Sequence, residues 1–176
     1  AIRATADIVE AARSDVVLMV APAQHLRSVS QAMARHLRDG QPFVICSKGI
    51  EQASGKLMAE VAEETVARTV HAVLSGPSFA ADVVRGLPAA LTLACRNEGI
   101  GRALAAALSS RQMRLYWSSD VVGAQIGGAV KNVLAIAAGI VAGRGLGASA
   151  HAALVTRGFA ELRRFAECFG GRPETL

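Results

Sequence analysis

Residues 15–20 read Asp15-Val16-Val17-Leu18-Met19-Val20, a continuous apolar run behind one acidic residue. Such a run, without alternating polar positions, is typical of a parallel strand that is buried on both faces. Pro22 follows two residues later and ends the run, because proline has no N–H to donate to a sheet. The segment therefore predicts a buried strand of an α/β sheet.

Strand-like and helix-like segments alternate outward from this strand over the first two thirds of the chain. Residues 23–37 have helical periodicity. The apolar residues of that segment fall on one face: Leu26, Val29, Met33 and Leu37. Further strands are predicted at 43–46, 70–74, 89–94 and 113–117, and further helices at 57–67, 79–84 and 100–109. This alternation favours a doubly wound α/β sheet with mostly parallel strands.

The pattern changes after Trp117. Residues 120–142 and 149–169 predict two long helices, joined by a glycine-rich link. We therefore expect an α/β domain at residues 1–118 and the start of an all-helical domain at 119–176. The chain begins without Met, in a charged, helix-like segment, which we interpret as the sign of a fragment.

Composition and charge limit the function. Hydrophobic residues make up 52% of the 176 residues and charged residues 19%, which is typical of a globular protein. The net charge of +5 is scattered and does not interleave with aromatic residues, so we expect no nucleic-acid partner. Arg163 and Arg164 are expected on a solvated helix face.

Cysteine, histidine and hydropathy patterns point away from a metal site and a membrane span. Cys46, Cys95 and Cys168 are widely spaced, so we interpret them as reduced core thiols of a cytosolic protein. The four histidines lack the spacing of metal ligands. The longest apolar helical stretch, residues 133–142, is shorter than the roughly 20 residues that cross a bilayer, so no integral membrane segment is expected.

Three loops follow predicted strands at their carboxyl ends, where open α/β sheets bind ligands. Lys48-Gly49 follows the second strand, where it is either a solvated loop or a lysine held over the sheet edge with a glycine that permits close approach. Gly76-Pro77-Ser78 follows the third strand, and Ser78 is a candidate N-cap for the short helix after it. Free N–H groups at that helix start would favour a phosphate.

The segment 123–132 carries the most specific signal. It reads Gly123-Ala124-Gln125-Ile126-Gly127-Gly128-Ala129-Val130-Lys131-Asn132. Adjacent glycines inside a helix each cost about 1 kcal/mol relative to Ala, and they lie on the same helical face as Lys131. Either they leave room for a ligand beside the ammonium group, or they pack against another helix while Lys131 reaches water.

An acid–base role for Lys131 requires a pKa below the usual value of about 10.4. Partial burial against Ile126, Val130 and Leu134 would lower it. A second cation nearby would act in the same direction, and Lys48 is the candidate.

Five ordered motifs resemble one enzyme family. They are Ala21 to Arg27, Ser47 to Glu51, Leu74 to Ala80, Ile126 to Asn132 and Leu154 to Gly158. In this order they resemble the bacterial NAD(P)-dependent glycerol-3-phosphate dehydrogenases, over essentially the whole chain. The resemblance implies the C-terminal part of a doubly wound Rossmann-type parallel sheet, without its first βα units, followed by the start of an all-helical domain.

The resemblance also implies a reaction and a set of site residues. The family reduces dihydroxyacetone phosphate to sn-glycerol 3-phosphate, reversibly, for phospholipid synthesis, with NAD or NADP as cofactor. The catalytic residues implied are Lys131 and Lys48. The substrate-binding residues implied are Lys48, Gly76, Ser78, Lys131 and Asn132. The cofactor-binding residues implied are Pro22, His25, Lys48 and Ala80. A small phosphorylated substrate, a cytoplasmic location and a homodimer are expected, and no metal.

Some features depart from the family pattern, and two other interpretations stay open. The glycine-rich turn that binds pyrophosphate does not occur in the sequence, Gln125 stands where an acidic residue is common, and His25 where the family often has an apolar or aromatic residue. We therefore expect little or no activity from the 176-residue chain alone, and both NAD and NADP are candidate cofactors. The alternatives are a β-hydroxyacid or 6-phosphogluconate-type dehydrogenase, and a non-catalytic helical dimerisation module.

Overall fold

The computed structural model describes residues 3–176, so the first two residues of the predicted α/β domain lie outside the described residues. Its centre is one five-stranded sheet in which the spatial order of the strands follows the chain order. The strands are β1 (Val17–Met19), β2 (Pro42–Ile45), β3 (Val70–Ser75), β4 (Ala89–Cys95) and β5 (Met113–Ser118). All five strands predicted from the sequence are present. The predicted burial of the first strand on both faces is wrong, because β1 is an edge strand and its Leu18 is 46% exposed.

Seven α-helices accompany the sheet in the described part of the chain. They are α1 (Ile8–Ala12), α2 (Leu26–Met33), α3 (Met58–Thr65), α4 (Ala80–Val84), α5 (Glu98–Leu108), α6 (Val121–Gly143) and α7 (Gly147–Cys168). The predicted helix 23–37 is shorter than expected, because short 3₁₀ turns at Ala23–His25 and Ala34–His36 flank α2. Its apolar face is nevertheless confirmed, since Leu26, Met33 and Leu37 are buried.

Strand direction explains where a ligand can bind. β1 pairs with β2 and β2 with β3 in parallel, β3 pairs with β4 antiparallel, and β4 with β5 in parallel. The prediction of a mostly parallel sheet is confirmed. The carboxyl ends of β1, β2 and β3 therefore share one edge, whereas β4 and β5 end at the opposite edge.

Helices cover both faces of the sheet, as a doubly wound arrangement requires. Phe43 and Ile45 point to the face covered by α2, α3 and α6, and all of these elements contribute to one apolar cluster. Val44 points to the other face, where it packs in a second cluster with Leu104 of α5. Because alternate residues of β2 are buried on opposite faces, the continuous apolar character of the strand has a direct structural reason.

Helix α6 crosses the first of these faces. Val121 and Ala124 near its start belong to the cluster with Val73 of β3, and six residues of its first eight positions are buried. Beyond Lys131 the helix packs mainly on α7, where Gly158 lies directly against Leu134. The N-terminal half of α6 thus belongs to the sheet core, and its C-terminal half belongs to the helical region.

Length and composition alone would allow α6 to cross a membrane. The apolar stretch predicted at residues 133–142 was too short. The helix has 23 residues, and its best 18-residue window has a mean hydropathy of 1.7. One such helix is a weak sign, since core helices also meet these criteria. No other helix within residues 3–176 meets them.

The cysteines only partly match the expectation of core thiols. All three are free, and Cys95 is buried. Cys46 is half-buried and Cys168 is exposed, because it lies on the outer face at the end of α7. The expected solvation of Arg163 and Arg164 is confirmed, since both are exposed.

Candidate functional site

Three loops meet at the edge where β1, β2 and β3 end. The Cys46 N–H donates to the Met19 carbonyl at 2.9 Å, which holds the segment after β2 alongside the end of β1. The Ser47 hydroxyl donates to the Ala21 carbonyl and adds a second tie. The predicted grouping of the loops is therefore confirmed.

Lys48 reaches across this edge from the loop after β2 to the loop after β3. Its Nζ donates a hydrogen bond to the Gly76 carbonyl at 2.9 Å. Gly49 beside it has φ +153, a conformation that other residues rarely adopt. Gly76 has φ +135, and a β-carbon there would stand 3.1 Å from the Leu91 Cα. The backbone at both glycines therefore depends on the absence of a side chain.

Helix α6 brings Lys131 to the same edge. Asp120 caps the helix by accepting the Gly123 N–H at 2.8 Å. Two turns further on, Gly128 lies against Ser75 at the end of β3 and against the Lys48 side chain. Lys131 follows one turn after Gly128 on the same face. The helix therefore delivers Lys131 to the carboxyl edge of the sheet, beside Lys48.

An open cavity of about 450 Å³ lies between this edge and α7. Polar groups of Ser75, Gly76 and Lys131 line one side of it, and Phe159 and Leu162 of α7 are apolar walls. Its volume falls in the range of small-molecule sites. The cavity can therefore hold a small ligand with the Lys131 ammonium group at its wall.

The two adjacent glycines do not leave empty space beside Lys131, as the sequence suggested. A β-carbon on Gly127 would stand 2.8 Å from a methyl group of Leu176, and one on Gly128 would stand 2.8 Å from the Ser75 Oγ. The Lys48 Cγ lies 3.5 Å from the same point. The glycines therefore admit side chains that build the cavity wall, and the ligand space lies next to them.

Lys48 has a lowered pKa, and burial and the charge of Lys131 are its causes. Partial burial lowers the pKa of Lys48, and the positive charge of Lys131 lowers it further. Burial also raises the pKa of the neighbouring Cys46 thiol to about 11, against the opposing effect of Lys48. Of the apolar neighbours expected for Lys131, Leu134 lines the cavity, whereas Ile126 and Val130 pack in a different cluster. The acid–base role of Lys131 stays a prediction.

Other predicted site residues lie around the cavity without lining it. Ser78 is exposed, and its expected role as an N-cap is wrong: Phe79 occupies the cap position of α4, and no side chain bonds to the helix start. Because α4 begins one residue later than predicted, the Ser78 hydroxyl lies one position before the cap and does not reach the first N–H groups of the helix. Ala80 and Asn132 are also exposed. Their expected contacts with ligands stay predictions.

Pro22 and His25 lie in the loop after β1 and are both exposed. They lie beside the Lys48 loop at the sheet edge, and their expected contacts with a dinucleotide stay predictions. Within residues 3–176 there is no group of three or more His, Cys, Asp or Glu side chains arranged to hold a metal ion.

Sequence reasoning missed three residues that shape this site. Ser75 precedes the quoted glycine and fills the space against α6, and Gln24 and Arg27 bond to the loop that carries Lys48. All three lie inside the motifs that were recognised. Polar residues within such a motif, next to a glycine or a lysine, were the signal that could have identified them.

Comparisons with known proteins agree with this geometry. The family model for the N-terminus of NAD-dependent glycerol-3-phosphate dehydrogenase matches residues 1–103, and the model for its C-terminus matches residues 120–176. The chain belongs to the NAD-dependent glycerol-3-phosphate dehydrogenase family. This membership favours the main interpretation over a β-hydroxyacid dehydrogenase or a dimerisation module.

Curated relatives of the family are close in sequence. A glycerol-3-phosphate dehydrogenase [NAD(P)+] of Caulobacter vibrioides is 57% identical over 99% of this chain and 53% of its own length. One of Paramagnetospirillum magneticum is 58% identical over the whole chain and 64% of its own length. The chain thus spans between half and two thirds of the length of these relatives.

Solved structures of the family share the fold. The crystal structure of glycerol-3-phosphate dehydrogenase from Coxiella burnetii has a TM-score of 0.86 and 36% identity, over 92% of this chain and 50% of its own. The enzyme of Saccharomyces cerevisiae has a TM-score of 0.86 and 27% identity, over 97% of this chain and 52% of its own. The Rossmann-type sheet followed by a helical region is therefore confirmed.

Proposed function

We propose that this chain is part of an oxidoreductase that interconverts dihydroxyacetone phosphate and sn-glycerol 3-phosphate with NAD or NADP. The observation that carries the proposal is the pair Lys48 and Lys131: Lys131 lines the cavity, Lys48 donates a hydrogen bond to Gly76 at the cavity wall, and the charge of Lys131 acts on Lys48. The names of the curated relatives support the substrate and the cofactor. Supply of glycerol phosphate for phospholipid synthesis in the cytoplasm is the corresponding role.

Lys131 is proposed as the acid–base group. In the reducing direction its ammonium group donates a proton to the oxygen at C2, and in the oxidising direction the neutral amine removes that proton. Pro22, His25, Lys48 and Ala80 would hold the nicotinamide cofactor, which would supply or accept a hydride at C2. Proton and hydride together account for the two hydrogen atoms added to the carbonyl.

Lys48 is proposed to act electrostatically in the same site. Its positive charge attracts the phosphorylated substrate to the position beside Lys131. Gly76, Ser78 and Asn132 are proposed substrate contacts. The Gly76 carbonyl already holds the Lys48 ammonium group, so a ligand at Gly76 is also a ligand at Lys48.

We propose that a dinucleotide binds at the edge of the sheet beside this pair. Pro22 and His25 are exposed next to the Lys48 loop, and open sheets of this type bind nucleotides at the carboxyl ends of their strands. We assign Pro22, His25, Lys48 and Ala80 to cofactor contacts. We also propose a division of the chain into a dinucleotide-binding part at 1–118 and a helical catalytic part at 119–176, and a homodimer as the assembly.

Substitution of Lys131 in the complete enzyme tests the proposal. Lys131→Ala is expected to lower kcat for dihydroxyacetone phosphate reduction by roughly 100-fold or more, the usual contribution of a general acid. Arg68→Ala is the control, because it removes an exposed positive charge that pairs with the exposed Asp39, away from the loop that carries Lys48. Retained turnover in Lys131→Ala, together with loss of the dimer in size-exclusion chromatography, would favour the dimerisation module. Turnover of 3-hydroxy acids in preference to dihydroxyacetone phosphate would favour the β-hydroxyacid class.

A further inference from the structure

The loop that carries Lys48 is tied to the loop after β1 by a glutamine. The Gln24 side chain donates from Nε2 to the Ile50 carbonyl at 2.8 Å and accepts from the Gln52 N–H at 3.0 Å. The nitrogen and the oxygen of the Gln24 amide are both hydrogen-bonded, to backbone groups on either side of Glu51. Gln24 therefore fixes the direction of the chain just after Lys48 and Gly49.

An ion pair holds the same loop one residue further along. Arg27 of α2 donates to both carboxylate oxygens of Glu51, at 2.9 and 2.8 Å. Glu51 is only 7% exposed and also accepts from the Ser54 hydroxyl. The bonds from Arg27, with that from Ser54, lower the pKa of Glu51 to about 2, and the pair raises the pKa of Arg27. The pair is therefore charged throughout the physiological pH range.

These ties act together with the packing around the turn at Gly49. Gly49 lies between Lys48 and the tied residues and has the φ of +153 that favours glycine. A β-carbon on Gly49 would stand 2.8 Å from the Ala23 Cβ, so the loop after β1 packs closely on this turn. On its other side Ile50 packs with Ile126 and Val130 of α6. Release of the ties would let the turn at Gly49 move Lys48 relative to α6.

We propose that Gln24 and the Arg27–Glu51 ion pair are positioning residues for Lys48, holding its ammonium group between the Gly76 carbonyl and Lys131. The proposal rests on the proposed function only for the catalytic consequence of that position. It links the loop expected to contact the cofactor, through Gln24, to the lysine expected to act on the substrate.

The three lysines of the chain allow a direct test: Lys48, Lys56 and Lys131. Reductive methylation with ¹³C-formaldehyde labels each lysine, and NMR titration then gives a pKa for each signal. Gln24→Met keeps the size of the side chain and removes both hydrogen bonds. Lys48 should then become more hydrated and move away from Lys131, so its pKa should rise measurably above that of the parent chain. A Lys48 signal with unchanged chemical shift and pKa would overturn the role of Gln24.

A matched control separates position from general stability. Gln31 lies exposed on α2, the helix that follows the 3₁₀ turn with Gln24, so Gln31→Met changes the same residue type nearby without touching the loop. Thermal unfolding of both variants is measured alongside the titration. An equal rise of the Lys48 pKa in Gln31→Met would also count against the proposal. If Gln24→Met does not fold, Glu51→Gln provides the test.

Glu51→Gln separates position from direct charge because the two effects have opposite signs. Loss of a negative charge near Lys48 would lower its pKa, whereas release of the loop would raise it. We expect a rise, and we expect Glu51→Asp to restore part of the parent value. Glu98→Gln, in the exposed pair with Arg102, is the control. A fall or no change in the Lys48 pKa in Glu51→Gln would overturn the role of the ion pair.

Kinetics of the complete enzyme distinguish failure of this inference from failure of the proposed function. Gln24→Met is expected to lower kcat roughly 10- to 100-fold, the usual effect of a displaced catalytic group, and to shift the pH–rate profile. A raised Lys48 pKa in the chain, with no dihydroxyacetone phosphate turnover by the parent enzyme, would retain the positioning role and reject the proposed function. If the parent enzyme is active and its Gln24→Met variant keeps the same kcat and pH–rate profile, the proposed function is retained and the positioning role of Gln24 is rejected.

Discussion

Ser75 and Gly128 meet at the rim of the cavity: the Ser75 Oγ lies 2.8 Å from the point that a β-carbon on Gly128 would occupy. The Lys48 Cγ lies 3.5 Å from the same point. A strand end, a helix and the proposed electrostatic residue therefore converge where only glycine fits. This contact gives the glycine in the middle of α6 a structural reason that outweighs its cost to the helix.

Gly128→Ala is expected to impair catalysis more than stability. The added methyl group must displace the Ser75 hydroxyl and press on the Lys48 stem, while alanine itself favours the helix. A displacement of Lys48 by about 1 Å corresponds to a loss of roughly 100-fold in kcat/KM. Steady-state kinetics of the complete enzyme, with urea unfolding of the chain, check both expectations.

Gly139→Ala is the matched control for that substitution. It lies on the same helix, and nothing stands within 4 Å of the added β-carbon. It should stabilise the chain by about 0.5–1 kcal/mol and leave kcat/KM unchanged. Equal losses of activity in the two alanine variants would contradict the role of the Ser75–Gly128 contact.

Removal of the Lys131 charge is expected to raise the pKa of Lys48. Lys131→Gln takes away a like charge that disfavours the protonated form of Lys48. Burial, the larger cause, remains, so the pKa of Lys48 should stay below its usual value. NMR titration of the ¹³C-methylated chain measures the shift. A Lys48 pKa that falls or does not move would show that the two ammonium groups do not interact.

Glu51 should make the chain sensitive to acid. Its pKa is about 2 in the folded chain and about 4.3 when unfolded, so the unfolded state binds the proton first. The stabilisation by Glu51 is complete above the unfolded value and is lost as the pH falls from about 5 toward 2. Urea unfolding at several pH values should show a smaller pH dependence for Glu51→Gln than for the parent chain. Parallel curves for the two proteins would contradict this expectation.

The fold could be predicted from the sequence because its signals are local. The periodicity of α2 correctly predicted burial on one face. The apolar run around Val17 correctly predicted a parallel strand, but its predicted burial on both faces was wrong, because β1 lies at the edge of the sheet and Leu18 is exposed. The reversal of β4 against β3 could not be read, because strand direction depends on how the chain crosses the sheet. The residues between β3 and β4 contain only the short helix α4, which does not return the chain to the same edge.

Site residues could be predicted where the residue type itself indicates the chemistry. They were missed where their role depends on contacts with residues distant in sequence. Lys48 and Lys131 were found because a lysine beside glycines in an apolar setting is unusual. Gln24 was missed because its partners, Ile50 and Gln52, lie 26 and 28 residues away. Ser78 was wrongly assigned as a cap because a shift of one residue in the start of α4 moves the cap to Phe79.

Asp120 is expected to stabilise the start of α6 and the C-terminal turn together. Its two oxygens accept the Gly123 N–H and the Arg172 N–H, each at 2.8 Å, and the residue is buried. Asp120→Ala should lower the free energy of unfolding by about 2 kcal/mol, from loss of the cap and of the bond to Arg172. Asp120→Asn keeps one acceptor and should lose less. Asp39→Ala, at an exposed position, is the control in urea unfolding.

Gln125 is expected to hold α6 against α3. Its Oε1 accepts the Ala59 N–H at 2.8 Å and its Nε2 donates to the Val121 carbonyl at 3.0 Å, in a position only 5% exposed. Gln125→Leu keeps the volume but leaves the Ala59 N–H without its acceptor, at a cost of about 1–3 kcal/mol in unfolding free energy. Gln125→Glu keeps that acceptor, places a carboxylate near the start of α3, and loses the donor to Val121. Gln125→Glu should therefore be less destabilised at pH 7 than Gln125→Leu, and the opposite order in urea unfolding would contradict the role of the Ala59 hydrogen bond.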